Sequence, residues 1–153
     1  MSERKPSVLF VCVENSNRSQ IAEAFAHMHG GDRVEASSAG SQPSGRVNPR
    51  AIEFMAEVGY DLTKHRSKAL TDLPKGTYDV VIGMGCGDEG CPLIPARRHE
   101  EWGIPDPKEM PAERYREIRD LIETKVKELL ALLGVRVTFP PSCSSSGVPI
   151  DLQ

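Results

Sequence analysis

The sequence predicts an α/β fold built on a parallel sheet, and three observations predict it. Val8 to Cys12 and Tyr78 to Met84 are short, nearly continuous apolar runs, as in strands buried on both faces. Other segments repeat apolar residues every three to four positions, as on one helix face. Strand-like and helix-like segments alternate along the chain, which is the order of right-handed β-α-β units.

The elements follow in order. The first strand, Val8-Leu9-Phe10-Val11-Cys12, comes after a charged lead-in. A small polar loop, Val13 to Arg18, leads to a helix from Ser19 to Ala26, with Ile21, Ala24 and Phe25 on one face and Gly30-Gly31 as its stop. Val34 to Ser38 is a short second strand. Asn48-Pro49 opens a second helix with proline in its first turn, and Ala51, Ile52, Met55 and Val58 form its apolar face up to Gly59. Tyr78 to Met84 is a third strand, set off by Pro74 and Gly76. Pro92 to Pro111 carries five prolines and reads as irregular chain around a short strand or turn. The longest helix runs from Tyr115 to Leu133, with Ile118, Leu121, Ile122, Val126, Leu129 and Leu130 on its buried face. Arg119–Glu123 and Glu123–Lys127 are expected as i,i+4 pairs on its solvated face. From Thr138 the chain turns to proline, serine and glycine, so residues 1–136 are expected as one catalytic domain and 137–153 as a mobile tail.

Composition narrows the function. The chain has 153 residues, one domain's worth, of which 39% are hydrophobic and 27% charged, as in a globular protein. Lys and Arg number 19 against 22 Asp and Glu, a net charge of −3, which argues against a nucleic-acid binder. Apolar stretches fall far short of the roughly 18 residues of a membrane span. The opening MSERKPSVLFVC is too briefly apolar for a signal peptide, so a cytoplasmic protein, and a monomer, is expected. In that compartment the four cysteines, Cys12, Cys86, Cys91 and Cys143, point to catalysis, redox chemistry or metal rather than a disulfide framework.

The chemistry concentrates after the first strand. Ligands of open α/β sheets bind at the carboxyl ends of the strands, where Cys12 stands. Cys12-Val13-Glu14-Asn15-Ser16-Asn17-Arg18-Ser19 is a Cys-x5-Arg-Ser pattern between strand and helix. A short loop running into a helix turns successive N–H groups inward, so Val13, Glu14, Asn15, Ser16, Asn17 and Arg18 form a nest for an anion. Arg18 adds a planar fork for two oxyanion oxygens. The same positive surroundings favour the thiolate of Cys12, and Ser19 can donate its hydroxyl when that thiolate leaves. The site expected is a nucleophile under a tetrahedral oxyanion.

Two further features bear on it. Asp106 lies between Pro105 and Pro107, which stiffen the backbone and can aim a proton-donating carboxyl; Asp-Pro is also a common turn dipeptide. Asp88 and Glu89 are nearby acidic alternatives. Cys86 and Cys91 flank a glycine-rich segment after the third strand. They read as a resolving pair, as two ligands of a zinc site with His99, or as unreactive loop cysteines. The zinc reading lacks a fourth ligand, and no metal site is expected. Cys143 in the tail is read as incidental.

Val8 to Phe25, VLFVCVENSNRSQIAEAF, resembles the start of the low-molecular-weight protein tyrosine phosphatase superfamily. With Gln20 where the phosphatases tend to carry proline, it is closer to the thioredoxin-type arsenate reductase branch. The resemblance continues through Ser37 to Gly40, Val47 to Ile52, Asp61 to Ser67 and Trp102 to Pro107, in family order. It implies a four-stranded parallel sheet flanked by helices and an arsenate reductase with possible side phosphatase activity. It implies Cys12, Arg18, Ser19, Asp106, Cys86 and Cys91 as the catalytic set, with Asp106 as general acid and the two loop cysteines as a relay. No bound cofactor is implied, but an external thiol reductant is: thioredoxin, or a glutaredoxin or mycothiol system. The alternatives are a low-molecular-weight phosphatase, which the 5% aromatic content disfavours, and a non-enzymatic oxyanion or redox-sensing module.

The chain also departs from the family pattern. Asn17 replaces a frequent cysteine, and Glu14 a frequent glycine. Some members bind potassium through positions matching Asn15, Ser38, Arg66 and Lys68; two of these are cationic here, so potassium is not expected. Lys68 either places its ammonium where that ion would sit or is simply solvated.

Overall fold

The computed structural model describes residues 5–12, 17–40, 45–69, 77–84, 96–105, 107 and 109–135. Four parallel strands form one sheet: β1 (Ser7–Cys12), β2 (Glu35–Gly40), β3 (Val80–Gly83) and β4 (His99–Glu101). Their spatial order is β2-β1-β3-β4. From β1 the chain passes to a strand on one side and then to one on the other, so β1 and β3 flank the point where the strand order reverses. In open α/β sheets ligands bind at such a point, outside the carboxyl ends of the strands. In register, Cys12 lies opposite Gly40 on one side, and Val11 lies opposite Gly83 on the other.

Three helices are described: α1 (Arg18–Gly30), α2 (Pro49–Ala56) and α3 (Ala112–Leu132). Alternate residues of β1 and β3, namely Val8, Phe10, Cys12, Val80 and Ile82, enter one core with all three helices. Ile21 and Phe25 of α1, Phe54 and Met55 of α2, and Tyr115, Ile122 and Leu130 of α3 meet there. The opposite set, Leu9, Val11, Ala39 and Val81, forms a second, smaller cluster. β1 is therefore buried on both faces, as its unbroken apolar run requires.

Several expectations shift in detail. β2 begins at Glu35 and continues to Gly40, beyond the expected Ser38. β3 is confined to Val80–Gly83, Tyr78 making a single bridge to Ala96. α1 begins at Arg18 and α3 at Ala112. The stop at Gly59 holds through its positive φ of 89°. In α2, Phe54 is buried, while the expected Ile52 and Val58 only pack partly against the core. In α3, Leu121 is 41% exposed, so the buried face is narrower than its apolar residues imply.

The expected solvated pairs on α3 are instead tertiary contacts. Arg119 is 7% exposed and donates to the Phe54 carbonyl at 3.0 Å and to Glu57 at 2.8 Å, tying α3 to the end of α2. Glu123 bonds the fully buried His29 Nε2 at 2.8 Å, joining α3 to α1. Arg119 and Lys127 still act on Glu123 through their charge: burial raises its pKa, but the His29 bond and those cations bring it below the usual range.

Candidate active site

β1 carries Cys12 to the carboxyl edge, where the residue is 2% exposed. The helix that follows begins with Asn17 as its first carbonyl acceptor, bonded by the Ile21 N–H at 3.0 Å. Asn17 does not cap this end with its own side chain, whose Oδ1 instead accepts from the Tyr115 hydroxyl. Both residues are buried, Asn17 at 4% and Tyr115 at 0% exposure. Tyr115, on α3, packs against α2, its ring stacked on Phe54 at 4.5 Å and covered by Arg50 at 4.9 Å. The start of α1 is thus tied to the packing of the other two helices. Nothing in the local sequence foretold this contact, because its partners lie 98 positions apart.

Ser19, one residue into α1, is fully buried. Its Oγ lies 2.9 Å from Cys12 Sγ, and either atom can be the donor. With Cys12 as a thiolate, the hydroxyl donates. Arg18 Nη1 donates to the Ile104 carbonyl at 2.8 Å, which fastens the guanidinium to the segment just before Asp106. Cys12, Asn17, Arg18 and Ser19 therefore stand together at the strand–helix junction. Val13, Glu14, Asn15, Ser16, Cys86, Cys91, Asp106 and Cys143 lie outside the described residues, as does the tail, 137–153. The chain enters the segment of the two loop cysteines at the same sheet edge: the Met84 N–H bonds the Val11 carbonyl at 2.8 Å.

Behind the first turn of α1 lies a second polar layer. Gln20 Nε2 donates to the Arg66 carbonyl at 2.8 Å, so its Oε1 is the acceptor for His65 Nδ1–H at 2.9 Å. His65 Nε2 then accepts from the Tyr60 hydroxyl at 2.7 Å. Burial holds the His65 pKa below its ordinary value despite Glu23 nearby. Burial also pushes the Tyr60 phenol up to about 12, helped by Glu23 and Asp61. Glu23 accepts from Ser38 Oγ at 2.5 Å and from His27 at 3.1 Å. Burial raises its pKa, but these bonds and the Lys68 charge bring it below the usual carboxylate range.

Lys68 Nζ donates to the Arg66 carbonyl at 3.2 Å and sits 3.9 Å from Glu23 Oε1, its side chain 20% exposed. The simply solvated reading of Lys68 is therefore corrected. The ammonium is held among Arg66, Glu23 and, through Glu23, Ser38.

Comparison with known proteins identifies the family. A family model described as low molecular weight phosphotyrosine protein phosphatase matches residues 7–138. The glutaredoxin arsenate reductase of Synechocystis sp. is 37% identical over 129 residues, covering 83% of this chain and 98% of that protein. A solved arsenate reductase in the phosphate binding state superposes with a TM-score of 0.75 at 35% identity, covering 84% of this chain and 98% of the other. The thioredoxin-dependent arsenate reductase of Corynebacterium glutamicum gives 0.70 at 33% identity, over 88% of this chain and 64% of that one. By its fold, by the Cys12–Ser19 junction and by these likenesses, the chain belongs to the low molecular weight phosphotyrosine protein phosphatase family.

Proposed function

We propose that this chain is an arsenate reductase that turns arsenate into arsenite at Cys12 and passes the oxidation to Cys86 and Cys91. The observation that carries the reading is the buried Cys12–Ser19 contact at the β1–α1 junction, with Arg18 on the first turn. Arsenate and phosphate are tetrahedral oxyanions of similar shape, and relatives named as arsenate reductases include one solved in a phosphate binding state.

The steps balance as follows. The Cys12 thiolate attacks arsenic and a hydroxyl leaves as water, its oxygen protonated by Asp106. The loop N–H groups of residues 13–18 and the Arg18 fork hold the remaining oxygens. The Cys86 thiolate then attacks Cys12 Sγ. The sulfur–arsenic bond breaks, its electron pair stays on arsenic, arsenite departs, and a Cys12–Cys86 disulfide forms. Cys91 attacks Cys86, the Cys12 thiolate leaves with Ser19 donating to it, and a Cys86–Cys91 disulfide remains. An external dithiol of the thioredoxin or glutaredoxin type, or a mycothiol system, reduces that disulfide. Because the chain leaves the sheet at Met84, two residues before Cys86, a reach of roughly 7 Å supports Cys86 as the thiol nearer Cys12.

The protein works in this reading as a monomer in the reducing cytoplasm, with residues 1–136 as its catalytic domain. No helix among the described residues is long and apolar enough to cross a membrane. A phosphatase acting through a phosphocysteine is the second reading, favoured by the family model's description. It uses Cys12, Arg18 and Asp106 but leaves Cys86 and Cys91 without a role.

Thiol titration with peptide mass mapping, before and after one equivalent of arsenate, tests the proposal. The expected result is two thiols lost, a Cys86–Cys91 disulfide, and one arsenite per protein. Unchanged thiols with intact arsenate refute it.

A further inference from the structure

Glu23, His27 and His65 each offer a ligand atom, and these atoms all lie within 4.8 Å of one another. Glu23 and His27 stand one turn apart on α1, and His65 comes from the chain after the Leu62–Lys64 turn. Glu23 Oε2 is 3.1 Å from His27 Nε2, and Glu23 Oε1 is 4.0 Å from His65 Nδ1. Two donors on a tetrahedral zinc ion, each about 2.05 Å from it, stand roughly 3.4 Å apart. The three ligand atoms stand within 4.8 Å of one another, so shifts of up to about 1.4 Å, which the exposed His27 can supply, bring them to that spacing.

We infer that Glu23, His27 and His65 form a binding site for a zinc-like divalent transition metal. Two imidazoles and one carboxylate select zinc, cobalt or nickel over potassium or magnesium, which prefer all-oxygen sites. The fourth position is open to water. The cluster lines an open cavity of about 560 Å³, so an ion has a path in. His27, 37% exposed, is the movable ligand, while His65 at 6% and Glu23 at 12% are fixed by packing.

A bound ion rearranges the surrounding bonds, and its contact with His65 Nδ1 replaces the bond to Gln20 Oε1. His65 now holds its proton on Nδ1, facing Gln20 Oε1, with Nε2 toward Tyr60. With the metal on Nδ1, the proton moves to Nε2 and the ring donates to the Tyr60 oxygen, a supporting contact of the kind metal-bound histidines make. His27 likewise moves its proton to Nδ1 and frees Nε2. Ser38 keeps its bond to the Glu23 carboxylate. Lys68 is the competing cation, 3.9 Å from Glu23, and it can retreat toward the Arg66 carbonyl that it already bonds. Lys64 and Arg66 also line the cavity, and their positive charge opposes a bare divalent cation, so binding must come from the carboxylate and the two imidazoles.

The chain has four histidines, so imidazole 15N NMR reads each one separately, whatever zinc the cysteines take up. The reduced full chain is titrated with zinc chloride until every spectral change saturates. The expected result is that the His27 and His65 ring nitrogens shift together along one isotherm, with His65 changing tautomer, while His29 and His99 stay unmoved. Losing a supporting partner of a metal ligand costs about 10–100-fold in affinity, so His27→Ala should weaken the His65 response by at least the upper figure. Its exposure makes that variant safe for the fold. If both rings stay unmoved when zinc saturates the protein, if one shifts without the other, or if His27→Ala leaves the His65 isotherm unchanged, the site is refuted.

Discussion

Replacing Ser19 with alanine tests the role of the hydroxyl beside Cys12. Ser19 is fully buried and its Oγ is 2.9 Å from a sulfur that is itself 2% exposed, so water cannot take over the lost bond. A hydrogen bond to a charged acceptor is worth about 1.5–3 kcal/mol net. At 1.36 kcal/mol per factor of ten, that corresponds to a slowing of about 13- to 160-fold in any step where charge builds up on Cys12. In the proposed relay that step is the attack of Cys91 on the Cys12–Cys86 disulfide, which expels Cys12 as a thiolate. The assay is rapid acid quench after one equivalent of arsenate, with peptide mapping of the two disulfides over time. Ser19→Ala should accumulate the Cys12–Cys86 form, with arsenite release slowed much less. Conversion of that disulfide at the wild-type rate, in a variant whose melting temperature is within a few degrees, refutes the reasoning.

Three other outcomes are expected. Asp106→Asn should slow the first chemical step by roughly 10²- to 10⁴-fold without much loss of oxyanion binding, measured by single-turnover arsenite release and by phosphate protection of Cys12 from alkylation. Tyr115→Phe removes the donor to the buried Asn17 Oδ1 and should cost about 1–3 kcal/mol in urea unfolding. It should also lower activity, because the residue before Arg18 loses its tie to α3. Glu57 titrates at about 2 in the folded protein, held down by its Arg116 bond and, against partial desolvation, by Arg119. Its folded pKa lies below the unfolded value of roughly 4.3, so its stabilisation is full above that value and disappears as pH falls toward 2. The urea midpoints of Glu57→Gln and the parent should therefore differ most at pH 6, draw together below about pH 4, and converge only at pH 2 and below.

What could be read from the sequence follows the range of the forces involved. β1 and the Cys12–Ser19 junction were legible because both depend on neighbours within seven positions. The stop at Gly59 and the proline start of α2 were legible for the same reason. β4, His99–Glu101, has no apolar signature, since it is a three-residue edge strand with mostly exposed side chains. The prolines of residues 92–111 left room for a short strand or a turn, and the family resemblance supplied the count of four. Arg119 and Glu123 looked like surface partners because their spacing fits a helix face. Their chosen partners, Glu57 and His29, lie 62 and 94 positions away, where spacing carries no information. Leu121 shows the converse: an apolar residue at a plausible phase is left 41% exposed. In the second polar layer, the Glu23–His27 pair is visible as one helical turn, but His65 joins them only through the fold.

The central claim is that the oxidation passes from Cys12 through Cys86 to Cys91. It is tested most directly by Cys91→Ser, given one equivalent of arsenate and then alkylated and mapped. The relay predicts one equivalent of arsenite, no further turnover with thioredoxin, and a trapped Cys12–Cys86 disulfide. Wild-type turnover in both Cys91→Ser and Cys86→Ser, with no Cys12–Cys86 peptide at any time, contradicts it.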